Sequence, residues 1–180
     1  MKTILAFGAS NSTASINVQL ARHAVSMLSG VQINFIDLND FEMPIFSIDR
    51  ENTTGIPEAA HLFKTHIRHA DAILISFAEH NGSYSVAFKN ILDWSSRIER
   101  NMWLDKPMCL LATSPGRRGA QSVLKAACDR FPHMNGHVIS HFSLPSFAHN
   151  FDADHGITNS EMAQQLQTIL QTFQTHLSNT

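Results

Sequence analysis

The sequence predicts a three-layer α/β fold, in which a doubly wound parallel sheet of five strands carries helices on both faces. Short apolar runs alternate along the 180 residues with longer amphipathic stretches, and this alternation is typical of βαβ units. The chain shows no linker, repeat or low-complexity tract, and its length fits a single domain over residues 1–180. A domain of this size buries about 70% of its unfolded surface, so it needs no disulfide or structural metal.

Five apolar runs are each short enough to form one strand. The third and fourth are almost continuously apolar, as expected for strands covered on both faces, whereas the last alternates less regularly. The runs are Thr3–Phe7, Val31–Ile36, Ala72–Phe77, Met108–Ala112 and His137–Phe142. The stretches between them are long enough for the crossover helices that parallel strands require.

Amphipathic stretches separate the runs and predict five helices. They span Ile16–Leu28, Pro57–His69, Val86–Arg97, Ala120–Arg130 and Met162–Leu177. We expect Gly30 to end the first helix as its C-cap, and Thr158 with Glu161 to form a capping box before the last. Two longer loops, Asn39–Gly55 and Ser143–Gly156, interrupt the alternation, and surface loops of this length are often functional.

Composition excludes several classes of protein. A net charge of −2 and a pI near 6.6 argue against nucleic acid or an anionic membrane as the main partner. No run approaches the roughly 18 apolar residues of a membrane span, and the first run ends at Gly8 without the continuation of a signal peptide. Cys109 and Cys128 lie in apolar or helical patterns, which indicates buried thiols rather than disulfides. We therefore expect a cytoplasmic protein.

Ligands of open α/β sheets bind at the carboxyl ends of the strands, where the strand order reverses. The loop after the first strand, Gly8–Asn17 (loop one), crowds hydroxyl side chains into a strand-to-helix turn: Ser10, Ser12, Thr13 and Ser15. A helix start offers unpaired N–H groups and the positive end of the dipole, which together favour a phosphate monoester. Loop one lacks the lysine and glycine spacing of the known phosphate motifs. A helix N-cap that is merely rich in Ser and Thr therefore stays an alternative.

Two further loops leave the third and fourth strands. Loop two, Ser76–Ser85, contains a strong turn signal at Asn81-Gly82 and is otherwise an ordinary βα loop. Loop three, Thr113–Gly119, has glycines that allow a flat ligand to approach the backbone and arginines that suit a phosphate as well as solvent: Gly116, Arg117, Arg118 and Gly119. Together the loops predict a ligand with an anionic tail in loop one and a planar head between loops two and three.

These stretches resemble the NADPH-dependent FMN reductase family, which includes azo, quinone and chromate reductases. The family carries a GSxRxxSxN-type phosphate loop, a PEYNGS-type segment followed by LKNxxDW, and a glycine-containing loop after its fourth strand. The corresponding stretches here are Ser10–Asn17, Ala78–Ser83, Phe88–Trp94 and Ser114–Gly119, and Met43–Asp49 is similar to a family loop after the second strand. The resemblance covers most of residues 1–145 and implies a flavodoxin-like sheet in the order 2-1-3-4-5.

The resemblance also implies a cofactor, a donor and an acceptor. FMN would be bound by residues of all three loops: Ser10, Ser12, Ser15, Ile16, Asn17, Ala78, Glu79, His80, Asn81, Gly82, Ser83, Ser114, Pro115, Gly116 and Gly119. Arg117 and Arg118 are candidates for binding the phosphates of the donor, NAD(P)H. The acceptor would be a small molecule such as a quinone, an azo compound, a metal oxyanion or free flavin. Because the cofactor carries the redox chemistry, we assign no general acid or base and no metal site.

Three positions depart from the family pattern. Ser12 stands where the family has arginine, so the phosphate would lack a cationic partner and depend on the helix dipole. Ala78 and His80 replace proline and tyrosine. We expect Trp94 and Trp103 to pack a helix interface, and the resemblance implies that this helix contributes to a homodimer or homotetramer.

The sequence leaves three functions open. The first is an FMN-dependent NAD(P)H oxidoreductase. The second is an electron carrier like flavodoxin, although such carriers are usually more acidic than a net charge of −2. The third is a flavodoxin-like module that binds another phosphorylated ligand or only a partner protein, which the missing arginine keeps open. Rapid bleaching of a bound yellow flavin by NADPH would separate the first function from the other two.

Overall fold

The computed structural model describes residues 1–179 and confirms the parallel five-stranded sheet. Its strands are β1 (Lys2–Ala9), β2 (Val31–Phe35), β3 (Ala72–Phe77), β6 (Lys106–Thr113) and β7 (Gly136–Leu144). Two antiparallel ladders pair β4 (Glu79–His80) with β5 (Ser83–Tyr84), and β8 (Phe151–Asp152) with β9 (Gly156–Ile157). The large sheet has the order β2-β1-β3-β6-β7. This is the order 2-1-3-4-5 that the sequence predicts, and it is flavodoxin-like.

Helices cover both faces of the sheet. They are α1 (Ile16–Ser26), α2 (Ile48–Thr54), α3 (Glu58–His69), α4 (Val86–Ile98), α5 (Gln121–Arg130), α6 (Phe147–Asn150) and α7 (Ser160–Ser178). One apolar core lies under α3, α4 and α5, with Phe63 and Phe88 at its centre. The other lies under α1 and α7, with Leu20 and Leu166. Within residues 1–179 no helix is both long and apolar enough to cross a bilayer.

The loop predicted at Asn39–Gly55 is wrong in part, because it contains α2. Ser47 caps this helix by accepting a hydrogen bond from the Arg50 amide, and Gly55, at φ 77°, ends it. Both are ordinary helix signals, but the helix buries none of its residues. The hydrophobic periodicity that reveals longer helices is therefore missing.

Two predicted helix caps are also wrong. The first helix ends at Ser26 with Met27 as its C-cap, and Gly30 lies beyond it in the turn into β2, at φ 68°. The last helix begins one residue later than the capping box requires, because Asn159 accepts from the Met162 amide at 3.0 Å. Asn159 is as good an N-cap as threonine.

The last strand has the weakest pattern in the sequence, yet β7 is 9 residues long. Its register against β6 shifts between Met108 and Cys109, so Val138 and Ser140 pair with neighbouring residues and Ile139 has no partner. Such a bulge interrupts the alternation of side chains between the two faces. The strand also lies at an edge of the sheet. The predicted loop Ser143–Gly156 accordingly begins later, after Leu144, and contains α6 and the β8–β9 ladder.

The two tryptophans are buried within the protein. Trp94 lies on α4, where its indole N–H donates to the Pro44 carbonyl at 2.7 Å and its ring packs edge-on against Phe46. Trp103 follows α4 rather than lying on it, and packs against Phe131 with ring centroids 4.6 Å apart. Both rings therefore stabilise the monomer core.

Candidate functional site

The three predicted loops meet at one edge of the sheet. A cleft of about 260 Å³ opens between the carboxyl ends of β1, β3 and β6. Its walls come from all three loops: Ser10, Ser12, Ala14, Ser15, Ile16, Asn17, Ala78, Glu79, His80, Thr113, Ser114 and Pro115. Helix α1 begins directly at this cleft, and the strand order reverses beside it, which is where this fold binds its ligands.

Residues 10–15 of loop one form a turn into α1 that is closed by their own hydrogen bonds. The Ser12 amide donates to Ser10 Oγ at 3.2 Å, and the Ser15 amide donates to the Ser12 carbonyl at 3.2 Å. Ser15 then caps α1 by accepting from the Val18 amide. The N–H group of Ile16, in the first turn, has no acceptor within the helix, and so remains available to an anion at the wall of the cleft.

Gly8 allows this turn to lie close to the sheet. A Cβ at Gly8 would lie 2.6 Å from the Val18 nitrogen and 2.7 Å from its Cγ2 atom. Real Cβ atoms do not approach other atoms so closely, so only glycine lets β1 pass directly beneath the first turn of α1. The glycine places the helix N-terminus at the cleft.

Loop two folds as the tight hairpin of β4 and β5. Asn81 and Gly82 form its turn with φ 52° and 76°, the backbone that Asn-Gly favours in two-residue hairpins. The hairpin is fixed to the third loop's helix, because Glu79 Oε2 accepts from the Val123 amide in the first turn of α5 at 2.9 Å. Where loop two ends, Ser85 Oγ donates to the Ala9 carbonyl at the end of β1.

Loop three is held from outside by the segment between β7 and α6. The Ser146 amide donates to the Gly116 carbonyl at 2.9 Å, and the Phe147 amide donates to the Ser114 carbonyl at 3.1 Å. Ser143 Oγ donates to the Gly119 carbonyl at 2.7 Å. The predicted long loop after the last strand therefore supports the site rather than lining it.

The structure brings together most of the predicted site residues. Those lining the cleft are Ser10, Ser12, Ser15, Ile16, Asn17, Ala78, Glu79, His80, Ser114 and Pro115. The others lie beside it: Asn81, Gly82 and Ser83 at the hairpin tip, and Gly116, Arg117, Arg118 and Gly119 in loop three. Ala14 and Thr113 line the cleft without having been singled out. The sequence signal for them is only their position, since each follows a buried strand in a loop already suspected.

Among the residues that line the cleft, none is a lysine or an arginine. Arg117 and Arg118 are exposed in loop three, and Arg118 donates to Ser122 Oγ at 3.2 Å. His80 forms a wall between the cleft and a neighbouring cavity of about 280 Å³, whose apolar floor includes Phe41 and Ile91. An anion in the cleft would therefore meet backbone N–H groups and the positive end of the α1 dipole rather than a lysine or an arginine.

Comparison with known proteins identifies the family. The model of the NADPH-dependent FMN reductase family matches residues 2–149. The chain belongs to this family. It is 29% identical to an NADPH:quinone oxidoreductase of Arabidopsis thaliana, over 95% of this chain and 89% of that protein. It is 26% identical to an NAD(P)H-dependent FMN reductase of Pseudomonas aeruginosa, over 95% and 92%.

A solved structure gives the same answer for the fold. The flavoenzyme NAD(P)H:(acceptor) oxidoreductase FerB of Paracoccus denitrificans superposes with a TM-score of 0.79 at 26% identity, covering 99% of this chain and 98% of that one. The predicted family and fold are thus confirmed. The protein is an FMN-dependent NAD(P)H oxidoreductase of the FMN reductase type.

The residues of the cleft fit FMN. Ser10 and Ser15 are only 4% and 7% exposed, so their hydroxyls are held in place beside the first turn of α1. The one carboxylate in the lining, Glu79, is hydrogen-bonded to α5 at its Oε2 atom. A phosphate at the start of α1 would meet N–H and O–H donors there, and the other walls of the cleft come from loops two and three.

Proposed function

We propose that the cleft binds FMN and that the protein uses it to reduce quinones and related acceptors with NAD(P)H. The observation that carries the proposal is the convergence of the three loops on one cleft at the start of α1. In this cleft the FMN phosphate would lie against loop one, at Ser10, Ser12, Ser15 and the first N–H groups of α1. Residues Ala78–Ser83 and Ser114–Gly119 would hold the ring, and free backbone N–H groups among them would donate to its polar edge.

The net reaction converts NAD(P)H, a proton and a quinone into NAD(P)⁺ and a hydroquinone. FMN, when bound, would supply the two-electron chemistry that links the donor to the acceptor. The protein contributes binding and orientation. Arg117 and Arg118, exposed beside the ring site, bind the phosphates of the donor. Loop three would present the flat face of the flavin ring, which the donor and the acceptor must reach in turn.

The electron acceptor and the cellular location follow from the same reasoning. Relatives named as quinone reductases support a small quinone as the acceptor. NAD(P)H is a soluble intracellular donor, which supports the cytoplasmic location expected from the sequence. Neither a nucleic acid nor a membrane enters this reaction.

We also propose that the protein forms a homodimer or a tetramer of such dimers. Three large apolar side chains near α2 and the start of α4 are strongly exposed in the monomer: Ile45 at 64%, Ile48 at 53% and Val86 at 67%. A second copy would bury them. Analytical ultracentrifugation of wild type and of Ile45→Asp should show a dimer or larger species that the substitution dissociates, whereas a wild-type monomer would contradict the assembly.

The decisive experiment is a pair of titrations followed by an anaerobic reduction. Apoprotein should bind FMN more tightly than riboflavin, which shares the ring but lacks the phosphate, and NADPH or NADH should then bleach the yellow complex. Adding benzoquinone should restore the colour. Equal affinities for FMN and riboflavin would show that loop one does not bind the phosphate. A complex that neither donor bleaches would indicate that the protein is an electron carrier.

A further inference from the structure

Asn17 occupies an unexpected position in the cleft wall. It is the second residue of α1, yet it is only 2% exposed and its side chain points into the protein. There it meets the ends of two other strands. Asn17 Oδ1 accepts from Ser76 Oγ at 2.8 Å and from the Thr113 amide at 3.0 Å, while Asn17 Nδ2 donates to the Thr113 carbonyl at 3.1 Å.

This network fixes the orientation of the amide. The Thr113 N–H group can only donate, so the atom facing it must be the oxygen, and the nitrogen is left for the Thr113 carbonyl. Ser76 and Thr113 are 0% and 1% exposed. In so dry an environment each broken hydrogen bond leaves an unpaired polar group, so the three bonds hold their partners firmly.

We propose that Asn17 is a positioning residue that sets the distance between the phosphate end and the ring end of the site. Its backbone belongs to the helix start that receives the phosphate, and its amide fixes Thr113, the first residue of the loop that receives the ring. Among the side chains that line the cleft, Asn17 alone hydrogen-bonds loop one to loop three. The inference rests on the proposed FMN site.

A positioning role and a direct phosphate contact predict different results for riboflavin. If the Asn17 amide bound the phosphate, Asn17→Ala would weaken FMN and leave riboflavin unchanged, as Ser12→Ala should. If Asn17 positions loop three, Asn17→Ala weakens riboflavin binding as well, by about tenfold or more. The reason is that the two hydrogen bonds to Thr113 and the one to Ser76 are lost. Ser12→Ala is therefore the matched variant for a phosphate-only contact.

Ser76 provides a second variant that folds more safely. It is fully buried in β3 and lies outside the cleft lining, and its hydroxyl donates to Asn17 Oδ1, so Ser76→Ala should act on the ligand through Asn17. We expect riboflavin to bind about twofold to tenfold more weakly to Ser76→Ala. In the Asn17→Ala background the same change should have no further effect, since coupled residues are not additive.

The variant Asn90→Ala is the control for a loss of stability alone. Its side chain also makes three hydrogen bonds, accepting from the Phe46 amide and donating to the Met43 and Pro44 carbonyls, and it lines the neighbouring cavity rather than the cleft. Asn90→Ala should lower the melting temperature about as much as Asn17→Ala while keeping riboflavin affinity. Riboflavin loss in Asn17→Ala and Ser76→Ala, but not in Asn90→Ala, supports the proposal. Riboflavin affinity unchanged in both, or lost equally in Asn90→Ala, overturns it. Wild-type protein that binds neither flavin would instead overturn the proposed function itself.

Discussion

Loops one and three do similar work at opposite ends of the cleft but are held in different ways. Loop one closes on itself through Ser10, Ser12 and Ser15, and residues 11–14 are exposed. Loop three makes hydrogen bonds to the segment from Ser143 to Phe147, which comes from another part of the chain. The phosphate end is therefore organised by a helix start, and the ring end by a neighbouring element.

The difference follows from what each end has to recognise. A phosphate is small and charged, and the N–H groups of one helix terminus with a few hydroxyls satisfy it. A flat ring needs a surface whose shape is fixed over several residues, so the backbone of loop three has to be held from outside. Disturbing the external support should therefore damage the ring end and leave the phosphate end intact.

The largest effect is expected from Gly119→Ala. A Cβ at Gly119 would lie 2.4 Å from Ser143 Oγ and 2.9 Å from the Pro145 nitrogen, on a backbone at φ 59°. The left-handed conformation and the overlap together should cost about 2–5 kcal/mol of unfolding free energy and weaken riboflavin as much as FMN. Urea unfolding and flavin titration measure both.

Gly116→Ala is the control for that comparison. It lies in the same loop, but the nearest atom to its Cβ would be Ser114 Oγ at 3.9 Å. Unfolding free energy should change by less than about 0.5 kcal/mol. If Gly119→Ala were equally harmless, the contact with the β7–α6 segment would not shape loop three.

The second prediction concerns the phosphate end. Ser12 is exposed in loop one, and no lysine or arginine lines the cleft. Ser12→Arg should add a charge-assisted contact and tighten FMN by about 1–3 kcal/mol, without tightening riboflavin. Fluorescence titration with the two flavins checks this. An unchanged FMN affinity would mean that the helix dipole and hydroxyls already satisfy the phosphate.

The third prediction separates donor binding from cofactor binding. Arg117 and Arg118 are exposed on loop three outside the cleft lining. Arg117→Ala combined with Arg118→Ala should raise the KM for NAD(P)H severalfold while FMN affinity stays close to wild type. That pattern is expected where a group binds the donor equally in the ground and transition states. An unchanged KM would show that both arginines serve only solvation.

Local chemistry accounts for the parts of the site that the sequence predicts. The buried strands β3 and β6 are continuous apolar runs, the hairpin of loop two follows from Asn81-Gly82, and the helix start follows from the hydroxyls of loop one. Each of these signals lies within about ten residues. The sequence therefore places the three loops, and the sheet order brings them together.

The links between the loops could not be predicted, because they join residues far apart in the chain. Asn17 meets Ser76 across 59 positions and Thr113 across 96, and in the sequence it is only the last polar residue of a phosphate motif. The support of loop three by Ser146 likewise depends on where β7 ends. Helix α2 is different, since Ser47 and Gly55 signalled its ends.

The smallest effect is expected from a change in pH. It tests how α1, which begins at loop one, is joined to the β8–β9 ladder, which follows the segment that supports loop three. His23 lies in the last turn of α1 and packs edge-on against Phe151, with ring centroids 5.5 Å apart. A Cβ at Gly156 would lie 2.0 Å from its Cε1 atom, so the β8–β9 ladder rests directly on the imidazole. Burial lowers the pKa of His23.

The sign follows from this direction. Because the folded pKa lies below the unfolded value of about 6.5, the unfolded chain binds more protons between the two values, and stability falls as the pH drops through that window. Above about pH 7 the contribution is constant. The neighbouring charged groups are Arg22 on α1 and Asp152, Asp154 and His155 around the β8–β9 turn. The protection factors of the Gly156 and Ile157 amides, which correct for the slower intrinsic exchange at lower pH, should fall between pH 7 and 5.

His23→Gln should flatten the pH response, since glutamine cannot be protonated there. His66→Gln is the matched control, because burial also lowers the pKa of His66 but its ring pairs with Asn34 on the other side of the sheet from α1. Exchange at the β8–β9 ladder should keep its pH dependence in that variant. If acid opened the ladder equally in His23→Gln, the imidazole would not be what holds it to α1. The β8–β9 ladder would then be independent of α1.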